Sequence, residues 1–218
     1  MAWEREPIQI SEKPKIALCL PHRGSLPAEF VESIWGPLRN VPLDWCEKIR
    51  FMNRAPSLPL VRNKLAQAGL DAGCSHLLWV DSDGVMETPL DPNEALRLLY
   101  ERDVPIAACI YRSKQKAGFF NAAWIKTPGG YTPVDSWTGN WFPVDVTGMH
   151  FVLIKREVFE KVPKPWFSWE TGPPSEDFYF FEKAKEAGYE IRIFSEVRLS
   201  HLGELKVLST GEVTTRDV

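Results

Sequence analysis

Short apolar runs constrain this chain more than any other feature of it: KIALCL from Lys15, LLWV from Leu77 and VPIAACI from Val104. Runs of this length are too short for buried helices, and turn residues bound them, so each reads as a strand covered on both faces. A further strand is expected at about Lys48 to Met52. Between these strands the apolar spacing becomes helical. Pro27 to Leu38 reads as one helix; a second carries Leu58, Val61, Leu65, Ala68 and Ala72, with Ser57 as N-cap, Pro59 in the first turn and Gly73 as the stop. Arg62 flanks that stripe and Asn63 opposes it, so neither is assigned to the core. Asp91, Pro92, Asn93 and Glu94 open a third helix, which ends near Arg102. The alternation predicts an α/β fold with a mostly parallel sheet and helices on both faces. Such sheets bind ligands beyond the carboxyl ends of their strands.

The second half is less regular. Arg112 to Pro143 mixes basic, glycine and aromatic residues without a period and is expected to form hairpins and loops. Met149 to Ile154 reads as a strand and Arg156 to Val162 as a short helix. Ser175 caps a helix with Phe178, Phe181 and Ala184 on its apolar side, and Gly188 ends it. Tyr189 to Phe194 is the last strand, with His201 shortly after. At 218 residues, 44% hydrophobic, the chain suits one core and a single domain, 1–218. A net charge of -3 gives no global reason to expect a polyanion partner. The N-terminal MAWEREPIQISEKPK lacks the apolar region of a signal peptide, and no segment reaches the length of a membrane span, so a soluble cytoplasmic protein is expected. Cys19, Cys46, Cys74 and Cys109 are spaced as neither a zinc site nor a disulfide framework and read as buried thiols.

Chemistry concentrates at three places. Asp81, Ser82 and Asp83 follow the LLWV strand at once, and Gly84 allows the strand to break there. Two hard oxygen donors on one turn suit magnesium or manganese, which also bind substrate phosphate, although an acidic turn capping a strand is the ordinary alternative. Glu176 and Asp177 fall in the first turn of their helix, where the dipole favours negative charge in any case. Asp177 is the better candidate for a general base facing the ligand crevice. His201 alone carries little weight unless the fold brings it to Asp83. Trp124, Trp137, Trp141, Trp166 and Trp169 would provide flat platforms for sugars or bases if they line a crevice, and otherwise fill a core. Arg112, Lys114 and Lys116 form a short basic run, either a solvated loop or a contact for an anionic group.

In order and spacing, LPHRG after the first strand, LVRNKLAQAGLDAGCSHLLWVDSDGVM, VTGMHFVLIKREVFEKV, SEDFYFFEKAKEAGYEI and the trailing SHLG resemble the GT-A glycosyltransferases, particularly the inverting family 2 type with its DxD motif. The resemblance runs from about Lys15 to Gly203. It implies the GT-A nucleotide-diphospho-sugar transferase fold, with a nucleotide-binding half at about 15–111, an acceptor and catalytic half at about 112–203 and a tail at 204–218. The donor implied is a nucleotide sugar, a UDP-sugar ahead of a GDP-sugar, with Mn2+ or Mg2+ as cofactor. Pro21, His22 and Arg23 would line the nucleotide base, Arg62 would face the donor, and Asp81, Ser82 and Asp83 would lie against ribose and diphosphate. Asp81, Asp83 and His201 would meet the metal, and Asp177 would be the catalytic base.

The acceptor implied is a glycan, lipid, protein or small molecule, with a modified nucleic-acid base as a minority case. No QxxRW-type motif of processive enzymes is present, and the acidic residue often found near the base is not evident around Phe51 to Ala55. Two other functions are compatible with these residues: a sugar-phosphate nucleotidylyltransferase, although PHRGS is a poor match to its glycine-rich loop, and a non-catalytic nucleotide- or sugar-binding module of the same fold.

Overall fold

A computed structural model describes residues 13–54, 56–87, 89–113, 120–169, 175–203, 205–210 and 213–215. Lys114 and Lys116 of the basic run lie outside the described residues. The first half comprises β1 (Lys15–His22), α1 (Ala28–Phe30), a π-helical turn (Val31–Trp35), α2 (Gly36–Asn40), β2 (Glu47–Arg54), α3 (Leu58–Asp71), β3 (His76–Val80), β4 (Gly84–Met86), α4 (Pro92–Glu101) and β5 (Ile106–Tyr111). The second comprises β6 (Ala123–Thr127), β7 (Gly130–Pro133), β8 (Trp141–Val144), β9 (Val146–Thr147), β10 (Phe151–Lys155), α5 (Arg156–Lys161), α6 (Glu176–Glu186), β11 (Ile191–Leu202), β12 (Leu205–Val207) and β13 (Val213–Thr215).

Consecutive strand residues point to opposite faces, so a strand buried at every position is covered on both sides. That is the pattern of β1 from Ile16 to Pro21, of β3 from Leu77 to Val80, of all of β5, and of β10 from Phe151 to Ile154. The main sheet runs β13-β12-β11-β5-β10-β3-β1-β2, with β4 and β8 also paired to β11; β7-β6-β9 form a small separate sheet. Pairing of β1 with β2 and β3 is parallel, as is that of β11 with β5, whereas β10 is antiparallel to both β3 and β5. Five central strands therefore share a direction, and β10 runs against them. The reversal carries the residue just before β10 to the carboxyl edge of β3.

The helices follow from local chemistry. Asp91 accepts a hydrogen bond from the Asn93 amide at 2.8 Å, and Glu94 reaches back to the Asp91 amide, closing the capping box at the start of α4. The helix expected over Pro27 to Leu38 is present but interrupted by the π-helical turn. Among the described residues, no helix is long and apolar enough to cross a membrane.

Several expectations need correction. The last strand does not stop at Phe194. A register shift between Phe194 and Arg198 lets β11 continue to Leu202, since Val197 and Leu199 are buried, and the continuation carries His201 inside the strand. The aromatic crowding divides between core and surface, with Trp141 and Trp169 exposed. Trp124 and Trp166 are buried, the Trp166 indole donating to the Phe159 and Val162 carbonyls, and Trp137 stacks on Phe142. The strand does break after Val80, Asp81 to Asp83 forming the turn between β3 and β4, and Gly84 opens β4. A β-carbon there would stand 3.0 Å from Leu199 Cδ2 and 3.2 Å from His150 Cδ2, so glycine allows a close approach.

Candidate functional site

Strand register assembles the site. Phe151 of β10 faces Val80 of β3, so His150 stands beside Asp81, whose amide donates to the His150 carbonyl at 3.3 Å. His201 of β11 faces Gly84 of β4 and so adjoins Asp83. The result is a cluster from three distant segments. His150 Nε2 lies 3.2 Å from Asp83 Oδ1, and His201 Nε2 lies 3.2 Å from Asp83 Oδ2. One ligand atom each from Asp83, His150 and His201 can be chosen so that all lie within 4.8 Å of one another, a donor set that could hold a divalent ion.

Burial opposes the charge on both Asp83 and His150, yet their mutual attraction prevails. His150, with Asp81 contributing as well, is pushed up to about 9, while Asp83, aided by His201, is held well below the usual carboxylate range. His150 is 4% exposed, and neither of its ring nitrogens is aligned for a hydrogen bond although a carboxylate stands close to each. The chain thus packs a buried imidazole between two acids with ion pairs but no aligned hydrogen bond at either nitrogen. That observation is what makes the donor set a fit for a metal.

Arg62 is the hub behind this cluster. It is 2% exposed, which corrects its assignment outside the core. From α3 its Nη2 donates to Asp81 Oδ1 and Oδ2 at 2.9 and 3.1 Å, and its Nε donates to Glu176 Oε1 at 3.1 Å. Its guanidinium also lies 5.7 Å from the Trp79 ring and 6.0 Å from the Phe167 ring. The two carboxylates, from positions 81 and 176, make burial of the guanidinium tolerable. Asn63, one residue on, accepts from the Trp166 amide at 3.0 Å and donates to the Phe167 carbonyl at 2.7 Å, tying the segment beneath α6 to α3.

Asp177 stands in the first turn of α6. Its Oδ1 accepts from the Phe178 amide at 2.8 Å and from the Ser175 hydroxyl. Ser175 therefore spends its hydroxyl on Asp177 and makes no side-chain cap to the helix. Burial, reinforced by the neighbouring Glu176 carboxylate, raises Asp177 to about 6. The residue is half-buried and not sealed in the core.

Tyr111 packs against both histidines and reaches toward Asp177. Its ring stacks on His150 at 4.1 Å and meets His201 edge-on at 5.6 Å. A β-carbon on Gly148 would stand 1.7 Å from the Tyr111 hydroxyl and 3.6 Å from Asp177 Oδ2, so glycine is required where these groups meet.

A cleft of about 680 Å3 opens beside the cluster, lined by Pro21, His22, Arg23, Asp81, Ser82 and Asp83 with Trp169 among others. Trp169 is 59% exposed, and its indole donates to Glu176 Oε2 at 3.2 Å. The fold thus brings Pro21, His22, Arg23, Asp81, Ser82 and Asp83 to one cleft. Arg62 lies behind it, His201 against Asp83, and Asp177 across Gly148. His150 and Tyr111 were not singled out from the sequence, and the only signal for His150 was its place at the head of an apolar strand in VTGMH. A larger concavity, about 950 Å3 between α4 and the Trp141 and Arg192 side chains, contains none of these residues.

No protein-family model and no curated protein matches the chain. Among solved structures, A197 from STIV superposes with a TM-score of 0.66 at 17% identity, covering 94% of this chain and 95% of that one. That likeness shows a shared fold across nearly all of both chains. Apo UDP-glucose pyrophosphorylase and UDP-glucose pyrophosphorylase complexed with UDP-glucose match at TM-scores of 0.46 and 0.49, with 7% and 8% identity, over 84% of this chain and 90% of theirs. Those two likenesses are too weak to bear on function.

Proposed function

We propose that this protein is a metal-dependent glycosyltransferase of the GT-A type, moving a sugar from a nucleoside diphosphate sugar to an acceptor hydroxyl with inversion. One observation carries the reading: the metal-competent cluster around Asp83 borders the cleft lined by Pro21, His22 and Arg23, and Tyr111, stacked on His150 of that cluster, approaches the raised carboxyl of Asp177 at Gly148. In this reading Pro21 to Arg23 hold the nucleotide base, and Asp81 and Ser82 contact the donor. Asp83, His150 and His201 would hold a divalent ion, whose chemistry is to neutralise charge on the departing diphosphate.

The chain's own part is acid–base and positional. As the acceptor oxygen forms its bond to the anomeric carbon, the bond from that carbon to the phosphate oxygen breaks and the nucleoside diphosphate leaves. The acceptor proton passes to Asp177. A carboxyl raised to about 6 is ionised at neutral pH yet more basic than an ordinary aspartate, as a general base should be. Arg62 fixes Asp81 from behind, and Tyr111 supports the imidazole plane of His150.

The test is product analysis. The full chain is incubated with manganese, UDP- and GDP-sugars and a panel of glycan, lipid, peptide and small-molecule acceptors. Release of nucleoside diphosphate with a glycoside of inverted anomeric configuration is expected. Formation of nucleotide sugar and diphosphate from a nucleoside triphosphate and a sugar phosphate would replace the reading with nucleotidyl transfer. Donor binding without turnover across the panel would replace it with a non-catalytic module.

A further inference from the structure

The donor set has a chemical character of its own. A turn with two aspartates is an all-oxygen site and suits magnesium or manganese. Here, however, Asp81 is engaged from behind, both of its oxygens accepting from Arg62 at 2.9 and 3.1 Å. The groups that converge with Asp83 are two imidazoles.

Each imidazole is prepared for ligation. Arg112's carbonyl lies 3.0 Å from His201 Nδ1 and can only accept, so Nδ1 carries a proton; Nε2, 3.2 Å from Asp83 Oδ2, is the nitrogen that would give up its proton to an ion entering between them. The bond from Nδ1 to that carbonyl is the outer-shell hydrogen bond that commonly orients a metal-bound histidine. His150 is held flat by the Tyr111 ring at 4.1 Å and 17° and edge-on by His201 at 4.3 Å. Its two nitrogens, buried and without hydrogen bonds, are the independent sign that something is meant to sit among these groups. The 3.2 Å separations between Asp83 oxygens and the two Nε2 atoms are close to the ~3 Å between adjacent donors around an ion bound at about 2.1 Å.

We infer that Asp83, His150 and His201 form a two-imidazole, one-carboxylate centre that takes a first-row transition-metal ion in preference to magnesium, and takes it without nucleotide, while Asp81, held by Arg62, stays outside the ion's donor set. The inference rests on the functional reading only for what the ion does. The preference follows from ligand type: imidazole suits zinc, iron and nickel, cobalt stands above manganese in the general affinity order, and magnesium demands an octahedron of oxygens and dehydrates reluctantly. The expected order of affinity is zinc and cobalt above manganese, with magnesium far below.

The test uses the untagged full chain, metal-stripped and without nucleotide, titrated calorimetrically with zinc, cobalt, manganese and magnesium. One site per chain is expected, with magnesium at least about 100-fold weaker than cobalt. Cobalt should also give a visible spectrum of nitrogen and oxygen ligation, a readout that needs no variant. His150→Ala and His201→Ala, checked for folding by near-ultraviolet circular dichroism, should each weaken cobalt binding by about 100-fold or more. Magnesium binding as tight as cobalt, an all-oxygen cobalt spectrum, or unchanged affinity in folded His150→Ala would overturn the inference. Cobalt binding of the expected kind in a protein that transfers no sugar would uphold the centre and sink only the functional reading.

Discussion

Arg62→Met is expected to lower stability by about 3–5 kcal/mol, a fall in Tm of roughly 10 °C for a chain of this size. Methionine keeps an apolar stem against Trp79 and Phe167 but leaves Asp81 and Glu176 facing each other without their cation. Glu176 is 6% exposed and cannot recover its loss from water, so the cost is that of an uncompensated buried charge. If that is the cause, adding Glu176→Gln to Arg62→Met should restore about 1 kcal/mol or more, because the charge left behind is removed as well. Denaturant melts of the two single variants and the double variant check this. Additive losses would mean that Arg62 contributes packing alone.

Asp177→Asn should lower turnover by about 100- to 10,000-fold with donor affinity nearly unchanged, since the amide keeps the acceptor for Ser175 and Phe178 but cannot take a proton. In the parent, turnover should rise with pH to a plateau, its midpoint near the carboxyl's value of about 6. The same variant should be the more stable protein at pH 8. The folded carboxyl titrates above its ordinary value of 3.8, so below that value it is protonated in both states and imposes no cost. As pH rises from 3.8 to about 6 the unfolded chain ionises first and stability falls; above about 6 the full cost is present. Discounted for the partial exposure of Asp177, that cost is about 1–2 kcal/mol. Asp177→Asn removes it, and the gain should fade toward pH 4. A variant equally stable at both pH values would show that Asp177 is not strained by its site, and a fully active one would remove it from the chemistry.

What could be read from the sequence follows the range of the interactions involved. Apolar runs, caps and the helical period are local, and they located β1, β3, β5, α3, α4 and α6 to within a few residues. Asp81, Asp83 and Asp177 stood out because a carboxylate at a strand end or in a first helical turn is a local feature too. His150 carries no such local mark, because its partners are chosen by the antiparallel insertion of β10 between β3 and β5, and nothing in VTGMH encodes that neighbour. At the margin of a helix stripe an arginine ordinarily extends its charge to water, so the helical period does not reveal the burial of Arg62. Its burial depends on two carboxylates 19 and 114 positions away in sequence. The end of β11 is hidden for a related reason: Ser195, Ser200 and His201 look like a loop in sequence but are buried, the last two paired with β4.

The central claim is that the cleft beside Asp83 binds a nucleoside diphosphate through a metal. Calorimetric titration of UDP and of GDP, each with and without manganese, into the parent and into Asp83→Ala tests it most directly. The account predicts manganese-dependent binding of one nucleotide, UDP ahead of GDP, lost in a folded Asp83→Ala. Binding of neither nucleotide by the folded parent, or equal binding by the variant, would contradict it.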